Sequence, residues 1–136
     1  MPKLWRMAVR VGIDLVAVAA VRESIDVHAD RYLNRIYTDR ELGDCRTPEG
    51  VDALRLAARF AAKEATLKVL RPDEEGISWR SIEVRRQPAG WVELSLSGRA
   101  AALAEQAGVC DLALSLTHED GFASAVVVAE LPSSVP

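Results

Sequence analysis

What this chain lacks narrows its chemistry first. Its two cysteines, Cys45 and Cys110, show no CxxC spacing and no neighbouring histidine, which points to free thiols in a reducing compartment rather than a zinc site or a disulfide. No apolar run approaches the roughly 20 residues of a membrane helix, and Met1-Pro2-Lys3-Leu4-Trp5-Arg6 leads into a strand rather than a signal sequence. A basic excess is also missing. Lys and Arg number 17 against 20 Asp and Glu, a net charge of −3, which argues against a general nucleic-acid binder because phosphate neutralisation dominates such affinity. There is no internal repeat, low-complexity tract or charge block. Nor is there a G-x-S-x-G, a P-loop or a persuasive Ser-His-Asp set to supply a nucleophile or a phosphate cradle. The expectation is a soluble cytoplasmic protein with neither a membrane nor a nucleic-acid partner.

What is present suffices for a core. A chain of 136 residues, 49% hydrophobic and 27% charged, fits one domain over 1–136 without a disulfide or structural metal, with a loose tail only from about residue 132. From Met7 to Leu15 the residues alternate, Val9, Val11, Ile13 and Leu15 on one face and Arg10, Gly12 and Asp14 on the other, the pattern of a strand. Gly12 leaves space beside the Asp14 carboxylate for a ligand or a helix, while Asp14 could equally cap a helix starting near Ala17. Short helices are predicted over Ala17 to Ile25 and Asp30 to Ile36. Thr38-Asp39-Arg40-Glu41 has the form of a capping box and opens a third that ends near Gly43. Thr47-Pro48 offers an N-cap and a proline at the first helical position, so a long central helix is predicted from there to about Leu70, stopped by Pro72 and Gly76.

The second half changes period. Ser81 to Arg86 and Trp91 to Leu96 read as a hairpin about Ala89-Gly90, and Gly98 to Ala107 as a helix closed by Gly108. Alternation from Leu112 to Thr117, the turn signal Asp120-Gly121 and the run Phe122 to Glu130 form a second hairpin. This order predicts a small α+β domain with a largely antiparallel sheet packed on one long helix.

The chemistry concentrates at Phe60-Ala61-Ala62-Lys63-Glu64-Ala65-Thr66-Leu67-Lys68, where one carboxylate and two amines interrupt an Ala-rich helical run. Glu64 shares a face with Ala57, Phe60, Ala61, Leu67 and Lys68, and Arg55, Arg59 and Lys63, four apart, form a cationic ridge on another side. A carboxylate beside a lysine suits a metal ion next to phosphate oxygens, although Glu64 and Lys68 also form an ordinary i,i+4 pair. His118 stands at the end of the penultimate strand, just before the turn. His28 lies in a polar surface segment and is assigned no role.

Together these segments resemble a known family. Val11-Gly12-Ile13-Asp14-Leu15, then Arg59-Phe60-Ala61-Ala62-Lys63-Glu64-Ala65 with Lys68, then Trp79 through Ile82-Glu83-Val84, then Ser115-Leu116-Thr117-His118 are similar, in order, to motifs of the small 4′-phosphopantetheinyl transferases of the holo-acyl-carrier-protein synthase type. The resemblance spans Val11 to Glu130. It implies transfer of the phosphopantetheine arm of coenzyme A to a serine of an apo acyl carrier protein, with release of adenosine 3′,5′-bisphosphate. It further implies Mg²⁺ held by Asp14 and Glu64, coenzyme A contacted by Lys63, Lys68, Arg59 and His118, and a homotrimer with sites between protomers. The carrier supplies the attacking hydroxyl, which accounts for the absent enzymic nucleophile. Either a metal-bound water or Glu64 could take the serine proton.

Three departures bear on partners rather than on metal ligands. Ala20 stands where relatives usually carry arginine, Arg71-Pro72-Asp73-Glu74-Glu75-Gly76 replaces a G-T-G turn, and Gly90-Trp91-Val92 replaces a G-x-P start. Docking charge is then expected from Arg22, Arg31 and Arg35, and whether the carrier serves fatty-acid or polyketide synthesis is open. Two other classes compete. A non-catalytic relative binding coenzyme A or a carrier would normally lose a metal carboxylate, and a purely structural trimeric sheet protein would not explain Asp14, Lys63, Glu64, Lys68 and His118 arriving together.

Overall fold

The structure, a computed structural model, describes residues 6–133. It begins with a strand, β1 (Met7–Ala17), followed by three short helices, α1 (Val18–His28), α2 (Asp30–Ile36) and α3 (Asp39–Asp44). A two-residue hairpin, β2 (Arg46–Thr47) and β3 (Gly50–Val51), precedes the 18-residue helix α4 (Ala53–Leu70). After a 3₁₀ turn at Trp79–Ser81 come the hairpin β4 (Ile82–Arg86) and β5 (Val92–Leu96), helix α5 (Gly98–Ala107), and the hairpin β6 (Asp111–Glu119) and β7 (Phe122–Pro132).

Strands β1, β7 and β6 form one antiparallel sheet in that order, and β4 and β5 a separate pair. Asp14 lies opposite Ala125 of β7, which lies opposite Leu116 of β6. Helix α4 covers the sheet face that carries Ala123, Ala125, Val127 and Ala129, all essentially buried. Its own contribution is mostly alanine, with Ala57, Ala61, Ala62 and Ala65 fully buried, so helix and sheet approach closely.

β1 inverts the usual amphipathic arrangement. Its Arg10, Gly12 and Asp14 face inward toward α4, and Val9, Val11, Ile13 and Leu15 face outward at 58–66% exposure. Gly12 explains the inversion. A Cβ at that position would lie 2.0 Å from the Ala65 carbonyl oxygen, so only glycine lets the two backbones meet. Of the two occupants expected beside Gly12, a ligand or a helix, the helix is there.

Two sequence expectations change, the start of α4 and the start of the tail, whereas α4 ends at Leu70 as expected. The N-cap of α4 is Asp52, whose side chain accepts from the backbone N–H of Leu54 and Arg55 at 3.0 and 3.3 Å, whereas Thr47 and Pro48 belong to the β2–β3 hairpin. Gly50, at φ 120°, cannot sit in the first turn of a right-handed helix. At the other end α4 stops at Arg71, itself in the left-handed region at φ 53° and donating to Leu67 O. β7 runs on to Pro132, and Ser133 N donates to Arg6 O, so residues 132 and 133, expected to be loose, are held against β1 and its lead-in; residues 134–136, like the expected lead-in at 1–5, lie outside the described residues. The capping box is present in full, Thr38 Oγ1 accepting from Glu41 N and Glu41 Oε1 from Thr38 N.

Candidate active site: two flanks of one helix

β1 and the last turns of α4 are joined by polar contacts on either side of Gly12. Arg10 Nη1 donates to Val69 O at 3.1 Å, and Lys68 Nζ donates to Ile13 O at 2.5 Å and lies 3.4 Å from Asp14 Oδ1. Glu64, one turn before Lys68, faces the same carboxylate. Partial burial and the charge of Asp14 push its carboxyl above the ordinary glutamate range, and Lys68 pulls the other way. Two carboxylates that raise one another's energy, beside an ammonium whose side chain is 51% exposed, form a site that gains from a small cation and can still reach an anion. This donor set fits a hard divalent ion, which needs one or two protein carboxylates and completes its shell with water and phosphate. Among the described residues no group of three or more His, Cys, Asp or Glu gathers, here or elsewhere, so the protein's share of any such shell is these two carboxylates.

On the other flank of α4 lies a cavity of about 380 Å³ between its first turns and the end of β6. Arg55, Arg59, Thr117 and His118 line it. Arg59 is 4% exposed, and although its Nη1 donates to Arg55 O at 3.3 Å, its Nε has no hydrogen-bond partner. A buried guanidinium with a spare donor is poised for an anion. Asp14 and His118 belong to the sheet face covered by α4, on strands separated by β7, about 10 Å apart across the sheet and offset by two residues along it, Asp14 pairing with Ala125 and His118 with Ala123.

The i,i+4 spacing puts Lys63 on a cationic ridge with Arg55 and Arg59, and the resemblance expects it to bind phosphate oxygens. The structure corrects this. Lys63 is fully buried, and its Nζ donates to Glu41 Oε1 at 2.7 Å, Trp79 O at 3.1 Å and Ile82 O at 2.5 Å. An ammonium has three donors, and all are used. Glu41 in turn accepts from Val84 N at 2.9 Å through Oε2. Its capping-box signature is local, and its second role, as a buried counterion 22 residues from its partner, leaves no periodic trace in the chain. The ridge is therefore broken: Arg55 is exposed, Arg59 is buried toward His118, and Lys63 is buried toward α3 and β4.

The arginines expected to dock a carrier also divide. Arg31 and Arg35 share a cavity of about 310 Å³ with His28, Tyr32, Ile36 and Trp79, whereas Arg22 lines a separate, larger cleft beside Asp26, Asp30 and Glu49. Sequence reasoning missed His28 and Trp79 here, because their convergence depends on how α2 packs against the 3₁₀ turn.

The model of the 4′-phosphopantetheinyl transferase superfamily matches residues 10–127. The chain belongs to that superfamily. It is 38% identical over 125 residues to a holo-[acyl-carrier-protein] synthase of Koribacter versatilis, covering 91% of this chain and 99% of the relative. It is 41% identical over 130 residues to one of Chloroflexus aurantiacus, covering 87% and 95%. Among solved structures, the ACPS–CoA complex of Chronobacterium ammoniagenes superposes with a TM-score of 0.79 at 30% identity, over 90% of this chain and 96% of that one.

Proposed function

We propose that this protein is a holo-acyl-carrier-protein synthase: it transfers the 4′-phosphopantetheine group of coenzyme A to a serine of an apo acyl carrier protein, releasing adenosine 3′,5′-bisphosphate. The observation that carries the reading is the convergence of Asp14, Glu64 and Lys68 on one flank of α4, in a chain that supplies no nucleophile of its own. The serine oxygen attacks the phosphorus bearing the pantetheine arm, the bond to the bridging oxygen of the diphosphate breaks, and the electron pair leaves with the bisphosphate. Asp14 and Glu64 would hold Mg²⁺, which would supply positive charge to offset the charge of the phosphates. Lys68 swings from Ile13 O to stabilise the leaving group. Glu64 accepts the serine proton directly or through water. Arg59 and His118 bind the nucleotide end.

The two flanks act together if the protein is a homotrimer. Coenzyme A bound at Asp14 and Glu64 of one protomer would then meet Arg59 and His118 of the next. The outward row of Val9, Val11, Ile13 and Leu15, joined on its neighbours by Val126 and Val128, supports such an assembly, because a continuous apolar sheet face is costly to leave in water. The acidic carrier would dock at Arg31 and Arg35 around the Tyr32 and Trp79 rings. His28 adds to that patch.

Mass spectrometry of an apo carrier incubated with this protein, coenzyme A and Mg²⁺ tests the activity. A carrier gaining one phosphopantetheine mass is the expected result. An unmodified carrier that nevertheless binds would favour a non-catalytic relative. The shared site is tested by co-refolding Glu64→Ala with His118→Ala subunits: activity should return where an intact Glu64 faces an intact His118, and confirmed mixing without recovery would sink it.

A further inference from the structure

The geometry points to Lys63 as the positioning residue for Glu64: its buried ammonium fixes the rotation of α4 about its own axis, and so the distance between the two carboxylates of the proposed metal site. This rests on the reading of Asp14 and Glu64 as metal ligands.

The need for such a device follows from composition. Where α4 meets the sheet its contact surface is mostly alanine, Ala57, Ala61, Ala62 and Ala65, with Val69, at the C-terminal end, its one larger buried side chain in the cluster that holds Ala61, Ala62 and Ala65. Methyl groups permit a close approach but interlock poorly, so they set the height of the helix above the sheet better than its rotation. Side-chain atoms lie about 5–6 Å from a helix axis, so a turn of about 20° would carry the Glu64 carboxylate roughly 2 Å. Misplacement of about 1 Å can cost on the order of 10²-fold in rate. The contacts to β1 by Arg10 and Lys68 lie near or beyond Glu64 toward the C-terminus, and Lys68 is half exposed and is needed for chemistry.

Lys63 meets the need from the opposite flank. It neighbours Glu64 in sequence, about 100° away around the axis. Its three acceptors belong to two separate pieces of chain: Glu41 of α3, and the continuous stretch from Trp79 of the 3₁₀ turn to Ile82 at the start of β4. Glu41 is itself held by Thr38 N and Val84 N, so the anchor cannot drift alone. The Tyr37 ring, 5.9 Å from Nζ, closes the remaining side. Three acceptors on different elements define a point in space, and a rigid point beside Glu64 defines the azimuth of the helix.

The test measures metal binding as well as turnover. Lys63→Met keeps the stem and removes the ammonium, and the double variant Glu41→Leu with Lys63→Met also removes the stranded carboxylate should the single variant fail to fold. Calorimetric titration with Mn²⁺ should show affinity about 10-fold weaker than wild type in whichever variant is folded, and kcat should fall about 10²-fold with the KM for carrier unchanged. A merely structural lysine would lower the melting temperature and leave Mn²⁺ affinity and kcat at wild-type values well below that temperature, which would overturn the proposal. Full recovery of Mn²⁺ affinity in the double variant would overturn it too, since packing alone would then suffice. Asp14→Ala separates the two readings. If it abolishes Mn²⁺ binding while the Lys63 variants bind normally, the positioning role alone fails; if it leaves Mn²⁺ binding intact, the metal ligands are wrong and both readings fall.

Discussion

Helix α4 carries two lysines five residues apart, each beside a carboxylate, and they show how burial divides one chemistry into two uses. Lys63 and Glu41 are both fully buried and closed on themselves, every donor of the ammonium committed. Lys68 and Asp14 are 3.4 Å apart at 51% and 20% side-chain exposure, with a second carboxylate nearby raising the electrostatic cost. The closed pair cannot exchange partners without stranding a charge where water cannot reach it. The open trio is held loosely by its own protein and is left to be completed from outside. Ion pairs at this spacing look alike in a sequence, and only the surroundings distinguish the one that holds the fold from the one available to a substrate.

The sharpest way to break that contrast is to remove a carboxylate from each. Asp14→Ala is expected to abolish transfer, a loss of at least about 10³-fold, in a protein that still melts cooperatively near the wild-type temperature. Glu41→Ala should do the reverse, costing about 3–5 kcal/mol of stability because it leaves a buried ammonium unpaired, as chemical denaturation would show. Equal stability losses for the two would show that the Asp14 site is as closed as the Glu41 site. Lys68→Ala comes next. Stability should change by no more than about 1 kcal/mol, as for an exposed pair, while kcat falls by about 10²-fold; a large stability loss with kcat preserved would make Lys68 a structural residue.

The subtlest expectation concerns Glu64. Its folded carboxyl holds a proton more tightly than the unfolded one, so the group's effect on stability is neutral well below the ordinary glutamate value. As pH rises through that value toward the raised folded one, the group becomes destabilising. Glu64→Gln should therefore melt slightly higher than wild type at neutral pH without divalent ions, and this advantage should vanish near pH 3. Added Mg²⁺ should stabilise wild type and not the variant. A melting difference that does not depend on pH would remove the electrostatic account.

Much of the fold is legible because its signals are local. α2, the capping box, the α5 boundaries and the Asp120-Gly121 turn depend on residues within a few positions of one another, and they fall where the sequence puts them. Asp14 and Glu64 stand out for a different reason, their place in motifs that resemble a family's, since taken alone one reads equally as a helix cap and the other as an ordinary i,i+4 partner. The burial of Lys63 was not legible, because an i,i+4 ridge carries no information about whether α3 and β4 will cover it. β1 makes the same point. Its alternation separates two faces, and nothing in it says that the face with Arg10, Gly12 and Asp14 is the one packed inside. The start of α4 failed through competition, Thr47-Pro48 and Asp52 both being good caps, with Gly50 deciding between them through its backbone.

Gly12 has a consequence for how this protein can vary. The spacing of Asp14 and Glu64 depends on two main chains touching at Ala65, and a main chain cannot be trimmed or extended by changing a side chain. Even alanine at position 12 would push β1 away and open the pair, and no smaller residue exists to draw it closer. Lineages that retune this site must therefore leave position 12 untouched and work at the periphery, in the loops and arginines around it. A saturation library of the chain should show position 12 as a sharp minimum of tolerance between permissive neighbours.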